Sequence, residues 1–328
     1  MTLKILAIRL QATGDVVITL PYLNSLKRRY PDAELDFLTR EETVAIPRSL
    51  ALFRKVFAIG GGRSFKRQCL STALLLPRLI VRGYDVVLDL QNNELSRFVT
   101  LALRPEKRCR FDKVSPLSAG ERTRLAIEEA GLGPIEIDTD LRLLREEESD
   151  RLLRDFGFTP GNRLVVLNPA GAFASRNWPL ESYVRFARAF QGMDSRPVTF
   201  LVLGLTSLRS KTDYLRSQLD GGLLDLVGRT TPDQAFALVR KADLVLSEDS
   251  GLMHMSWVSG RPTLALFGSS RGDWSRPLGE RSLCLDSSDL ECRFCMEAEC
   301  RFGDVRCLTR RDPRDMARMA FRLMNASS

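Results

Sequence analysis

No apolar run in this chain reaches the roughly 18 residues that a membrane span requires. The nearest, Leu70 to Val81, is too short and contains Pro77 and Arg78. The amino-terminal run Leu3 to Ile8 has the pattern of a strand and lacks the layout of a signal peptide, so the expected location is cytoplasmic. No repeat or low-complexity tract interrupts the chain. The Gly-x-Gly-x-x-Gly and Walker patterns of common nucleotide folds are both missing. Basic clusters occur without interleaved aromatic residues, which argues against nucleic acid as a partner. Histidine occurs once, as His254.

What is present is the composition of a soluble globular protein, 44% apolar and 27% charged. At 328 residues the chain is longer than a single core usually supports, so two domains are expected. The net charge is +8, and residues 1–113 hold 20 Lys and Arg against 11 Asp and Glu, so the excess lies in the first third. Lys27-Arg28-Arg29, Arg63 with Lys66-Arg67, and Lys107-Arg108 with Arg110 form its clusters. Such a face suits an anionic membrane surface or a phosphorylated substrate, and a plain solvated surface is the alternative.

Seven cysteines in a chain without a leader are expected to be reduced. Cys69, Cys109 and Cys284 are scattered and read as ordinary packed residues. Cys292-x2-Cys295-x4-Cys300-x6-Cys307 is different, because four thiols so spaced fit a tetrahedral zinc site. Such a metal would be structural, since all four ligand positions are filled by protein. Disulfides or free packed thiols are the other readings.

Short apolar runs alternate with longer helical patterns along the whole chain. Strands are expected at 3–9, 35–39, 55–59 and 85–89, with helices at 17–29, 66–82, 94–103 and 121–130 between and after them. A charge-dense helical stretch, 142–156, precedes a linker-like segment containing Thr159-Pro160-Gly161. The rhythm then restarts, with strands at 164–167, 198–203, 224–227, 244–247 and 263–267. Helices are expected at 180–190, 207–219, 232–240, 252–259 and 313–324. The fold class is therefore α/β, with two Rossmann-like domains facing a cleft and bounded at 1–158 and 159–328.

Turns from strand to helix at the carboxyl edge of such sheets carry ligands. In Leu244-Val-Leu-Ser-Glu-Asp249-Ser250-Gly251-Leu-Met-His254, an apolar strand stops at an acid, a hydroxyl and a glycine before an apolar helix. The helix start suits a phosphate, and Asp249 suits a ribose hydroxyl or a cation. Helix capping by Asp249 or Ser250 is the plainer reading. The turn Asn168-Pro169-Ala170-Gly171 leads to Arg176 and then Trp178-Pro179. Its small residues leave backbone N–H groups accessible, and Arg176 supplies a cation suited to a diphosphate. Gly228-Arg229-Thr230 opens on the same edge, with Thr230 or Thr231 as a helix cap. In the first domain, Thr13-Gly14-Asp15 follows the first strand. A carboxylate there is placed to take a proton from a substrate hydroxyl, or to cap the helix expected from about Val16. Gly14 would permit a close backbone approach or a positive φ.

Taken together, these segments resemble glycosyltransferase family 9, the ADP-heptose:lipopolysaccharide heptosyltransferases. The matching elements are Gly14-Asp15-Val-Val-x-Thr19-x-Pro21, Asn168-Pro169 with Arg176-x-Trp178-Pro179, Gly228-x-Thr230, and Asp249-Ser250-Gly251-x-x-His254 followed by Pro262-Thr263 and Phe267-Gly268. They run in order over almost the whole chain. The resemblance implies a GT-B fold, with acceptor bound mainly by the first domain and nucleotide sugar by the second. It implies inversion at the anomeric centre without a catalytic cofactor. By the same resemblance Asp15 is the general base, and Arg176 faces the donor diphosphate. Thr13, Gly14, Ala170, Gly171, Gly228, Thr230, Asp249, Ser250, Gly251 and His254 line the substrates, with His254 either touching donor or bracing its turn. ADP-heptose is the implied donor and a phosphorylated lipopolysaccharide core at the inner membrane surface the implied acceptor. One departure stands out: Thr206-Ser207-Leu208-Arg209 follows Gly204, where the family often has an acid, so the donor sugar is open. A transferase of another sugar or acceptor, or a non-catalytic nucleotide-sugar binder, would fit the same residues less fully.

Overall fold

The structure is a computed structural model that describes residues 2–219 and 221–326. The chain forms two compact units, Met1–Leu144 and Arg145–Ser328. The first runs β1 (Lys4–Ile8), α1 (Thr13–Arg29), β2 (Glu34–Arg40), α2 (Ala45–Arg48), β3 (Lys55–Ile59), α3 (Phe65–Arg82), β4 (Val86–Asp89), α4 (Glu94–Leu103), β5 (Lys107–Arg110) and α5 (Ala119–Ile127). The second begins with α6 (Glu147–Asp155), β6 (Arg163–Asn168), α7 (Leu180–Gln191), β7 (Val198–Gly204), α8 (Arg209–Gln218), β8 (Leu223–Val227) and α9 (Pro232–Val239). It continues through β9 (Leu244–Glu248), α10 (Gly251–Trp257), β10 (Thr263–Leu266), α11 (Gly272–Ser275), β11 (Ser282–Leu285), α12 (Arg306–Thr309) and α13 (Pro313–Asn325).

Among the described residues the named strands pair in parallel, in the orders β3-β2-β1-β4-β5 and β11-β10-β9-β6-β7-β8. Parallel sheets are covered on both faces, so their central strands are continuously apolar. Thus β4 and β9 are buried at every position. In each sheet the winding reverses beside the unit's first strand, between β1 and β4 and between β6 and β9. Reversal sends the two following connections to opposite faces and leaves a crevice at the carboxyl ends of those strands. Each unit has its own core. Leu6, Ile8, Leu38, Leu79, Val87 and Val99 anchor the first. In the second, Val165, Phe186, Phe190 and Leu246 pack with Met316, Ala317 and Ala320 of α13.

The alternation and the helices match the sequence expectation closely, with instructive differences. The division between units falls at 144/145 rather than after 158, because α6 packs on α9. Leu153 of α6 is buried, and Asp150 pairs with Lys241 at 3.0 Å, so the charge-dense helix is held by the second unit. Edge strands β5 and β11 were not foreseen; in β5 only Cys109 is buried between basic residues. Helix α1 begins at Thr13, three residues before the expected start, which leaves Pro21 in the helix interior.

Candidate functional site

Adjacent strands β6 and β9 place two loops side by side at the sheet reversal, with Asn168 opposite Ser247. The turn after β9 is closed by Ser250, whose Oγ accepts from the Met253 N–H at 3.3 Å. Ser250 is therefore the helix cap, and Asp249 is left for another partner. That partner is Arg176, with Nη1 3.6 Å from Asp249 Oδ2 and both side chains largely buried. The separation exceeds that of a tight charge-assisted bond. Arg176 lies over the Phe173 ring at 5.0 Å, and its buried Nε has no hydrogen-bond partner among the described residues. Asn168 Nδ2 donates to Ser247 Oγ at 2.8 Å and Ser250 Oγ at 2.7 Å, stitching the two loops together.

The loop carrying Arg176 is fixed by a residue that the sequence did not single out. Glu248, fully buried at the end of β9, accepts from the Gly171 N–H at 2.5 Å and from the Trp178 N–H at 2.6 Å. One carboxylate thus clasps both ends of the segment 171–178. Burial pushes the Glu248 carboxyl up to about 7, against the pull of the Gly171 N–H, Lys211, the Trp178 N–H and Tyr183. Lys211 of α8 secures the same loop from outside, donating to the Pro169 carbonyl at 2.7 Å and to Asn177. Two glycines let the loop close. A Cβ on Gly171 would collide with the Arg176 carbonyl, and one on Gly268 with the Ser175 carbonyl. Ala170 is half-buried against the core of the unit.

In the first unit, Thr13 and Gly14 open α1, and Asp15 is its third residue rather than its cap. Gly14 has helical backbone, not a positive φ. Asp15 Oδ2 accepts from the Ala12 N–H at 3.0 Å and stands 3.0 Å from Arg9 Nη2. The side chain of Asp15 keeps 38% of its surface exposed, while that of Arg9 keeps 8%. Arg9 also donates to the Leu90 carbonyl, so it joins the two strands at the reversal, β1 and β4. Gln91 does the same from the other side, its Oε1 accepting from the Leu10 and Gln11 N–H groups at 2.9 and 3.1 Å. Arg9 and Arg122 both lie over the Phe111 ring, at 4.8 and 4.9 Å. Burial and the Arg9 charge lower the Arg122 guanidinium from its usual range, opposed by Asp112 and Asp15. Two cations therefore neighbour the Asp15 carboxylate.

The remaining expected residues are placed less centrally. Gly228 adopts φ +71°, and a Cβ there would lie 2.7 Å from Thr206 Cγ2. Its turn follows β8, the far edge strand, two strands from β6. Thr231 rather than Thr230 caps α9. Gly251 opens α10, and His254 is buried within it, Nδ1 accepting from the Trp257 indole N–H at 3.0 Å.

All seven cysteines are free thiols. Cys292, Cys295, Cys300 and Cys307 line one cavity of about 90 Å³ together with Ser175, Gly268 and Ser269. Burial, then the neighbouring Cys300, Cys295 and Cys292, raise the Cys307 thiol. Among the described residues no group of three or more metal-binding side chains is already arranged around a single point. The cysteine segment touches the Arg176 loop directly: the Ser175 N–H donates to the Ala298 carbonyl at 3.2 Å, and Ser175 Oγ meets the Glu297 carbonyl. No helix among the described residues is long and apolar enough to cross a membrane.

Comparison with known proteins bears on these loops. Residues 121–306, more than half of the chain, match the profile of glycosyltransferase family 9 (heptosyltransferase). Over 326 residues the chain is 24% identical to lipooligosaccharide heptosyltransferase 2 of Campylobacter jejuni subsp. jejuni serotype O:2, covering 96% of each. A family 9 glycosyltransferase from Veillonella parvula aligns in structure with a TM-score of 0.82 at 16% identity, over 99% of this chain and 97% of that one. The E. coli ADP-heptose lps heptosyltransferase II aligns with a TM-score of 0.75 at 19% identity, over 99% of this chain and 100% of that one. The architecture is the GT-B type that the family resemblance implied.

Proposed function

The chain belongs to glycosyltransferase family 9, and from that premise we propose that it moves a heptose from ADP-heptose to the inner core of a lipopolysaccharide, with inversion and without a catalytic metal. The observation that carries this reading is the Arg176–Asp249 pair at the β6/β9 reversal, where a cation with an unused buried N–H stands beside a carboxylate. The donor's diphosphate meets Arg176, and Asp249, Ser250 and Gly251 hold the nucleoside. The relatives named above act as heptosyltransferases, one of them on an ADP sugar, which supports this donor.

In the reaction, Asp15 takes the proton from an acceptor hydroxyl as that oxygen bonds to the anomeric carbon. The bond from that carbon to the diphosphate breaks on the opposite face, and the electron pair leaves with ADP. Arg176 stabilises the negative charge that grows there. Arg9 and Arg122, beside Asp15, suit the phosphates of a charged acceptor presented at a membrane surface. His254 is read as a brace for the α10 turn, since its Nδ1 is taken by Trp257.

The donor assignment is tested by thermal shift. ADP-heptose and ADP are expected to raise the melting temperature, and UDP- and GDP-sugars to leave it unchanged. A preference for uridine or guanosine donors overturns the assignment.

The four clustered thiols have the donor chemistry of a structural zinc site, and closing around a metal would fasten the segment that touches Ser175. Elemental analysis of protein purified without chelator is expected to find about one zinc per chain, lost in a Cys292→Ser/Cys307→Ser variant. Metal-free protein with four titratable thiols in this segment overturns the zinc reading.

A further inference from the structure

Helix α3 is apolar on two opposite faces. Thr72, Leu75 and Leu79 turn inward, with the two leucines on the core of the first unit. On the other side Leu70, Leu74 and Val81 are exposed, at 63%, 72% and 87%. The spacing of these residues, with Pro77 between them, puts them in one outward stripe at the period of a helix. Phe98 and Leu101 of α4, which packs beside α3, add exposed apolar surface at 52% and 55%. This is the stretch that looked, in sequence, like a failed membrane span.

On α3 itself the charges are of one sign, while α4 brings one exposed acid, Glu94, a turn before Phe98. Helix α3 contains Lys66, Arg67, Arg78 and Arg82 and no Asp or Glu. Arg82 is occupied by Glu34 and Asp36, whereas Lys66, Arg67 and Arg78 are exposed along the stripe, with Arg63 before it and Arg97 on α4. A second copy of the chain docking here by twofold symmetry would set these cations against their own copies, with no acid on α3 to pair them. An anionic bilayer has the opposite character. It accepts apolar side chains at the level of its headgroups and attracts flanking Lys and Arg.

We propose that the outer face of α3, extended by Phe98 and Leu101 of α4, is the surface by which this enzyme docks on an anionic lipid bilayer. Leu70, Leu74, Pro77 and Val81 enter the headgroup region, and Lys66, Arg67 and Arg78 meet lipid phosphates. The helix lies flat, along a footprint of about 27 Å. This deepens the acceptor reading above, on which it rests for its purpose: a lipid-anchored acceptor and its enzyme share one surface.

The test is co-sedimentation with vesicles of phosphatidylcholine containing roughly one phosphatidylglycerol in four lipids, and with phosphatidylcholine alone. The full chain is expected to bind the anionic vesicles only, and less as salt rises. Leu74→Glu/Val81→Glu removes exposed side chains, so the melting temperature is expected to hold while vesicle affinity falls about tenfold or more. Failure of the native protein to bind anionic vesicles overturns the proposal, as does equal binding by the variant. A salt-independent dimer by light scattering that the variant abolishes, without lipid binding, overturns it in favour of a contact between copies. Vesicle binding needs no catalysis. A protein that docks but transfers no sugar refutes the proposed reaction and leaves the docking face standing, and active protein indifferent to vesicles does the reverse.

Discussion

Asn in place of Asp15 is expected to cut turnover by about two to four orders of magnitude, the usual worth of a general base, while ADP still binds. The substitution is conservative in shape. The amide oxygen of the replacement would still accept from the Ala12 N–H, so the start of α1 is kept. What is lost is the negative charge and the basicity. Arg9, nearly buried, loses the carboxylate 3.0 Å away and retains its bond to the Leu90 carbonyl. The expected kinetic signature is a fall in kcat with little change in donor KM, because on the proposed reading the donor is held by residues 168–251 of the other unit. Circular dichroism and ADP thermal shift serve as controls for folding and nucleotide binding. Turnover within a few-fold of the native enzyme, with both controls intact, removes Asp15 from the base role.

Glu248→Gln is expected to change two measurable properties at once. Gln can accept through one oxygen only, so one of the Gly171 and Trp178 N–H groups would face an amide N–H instead of a carboxylate oxygen. The 171–178 segment loosens, Arg176 is held less well, and donor KM is expected to rise roughly tenfold, the equivalent of about 1.4 kcal/mol. The second property is the pH dependence of stability. Burial raises this carboxyl from 4.5 to about 7 in the folded protein. Between those values the folded chain keeps a proton that the unfolded chain releases. The group's contribution to stability is therefore full below about 4.5 and is lost as the pH rises to about 7, by about 3 kcal/mol in total. Gln does not titrate. Melting curves of the two proteins should diverge across that window, the native protein losing ground to the variant as the pH rises. Parallel curves between pH 4.5 and 7 would contradict the raised carboxyl; unchanged donor KM would contradict its hold on Arg176.

The parallel sheets were legible because central strands buried on both faces leave apolar runs, such as Val86-Val-Leu88 and Leu244-Val-Leu246. The edge strand β5 leaves no such trace. Lys107-Arg-Cys-Arg110 places only Cys109 against the core, and its charges disguise its hydrogen bonding to β4. The unit boundary differs for a related reason: Thr159-Pro-Gly161 has linker composition, but the charge-rich helix α6 buries Leu153 and packs on α9. At the site, Arg176 and Asp249 were visible as residue types on turns, and the structure brings them together. Glu248 was hidden beside Asp249, since adjacent acids look alike until the strand ends. The period of two that sends neighbouring strand residues to opposite faces was the available clue that the two acids have separate partners. Arg9 and Arg122 come beside Asp15, and Gln91 ties down Leu10 and Gln11, only through the β1–β4 pairing and α5, which no local pattern encodes.

Two separate cores also decide what an optical experiment on this protein can observe. The chain's three tryptophans, Trp178, Trp257 and Trp274, all fall within Arg145–Ser328, whereas Tyr22, Tyr30 and Tyr84 belong to Met1–Leu144. Indole emission is thus a private channel for the second unit. Melting of the other half passes unseen in that channel and must be followed through tyrosine or the far ultraviolet. A single-wavelength unfolding curve would assign an Asp15 variant the stability of the unit it does not inhabit.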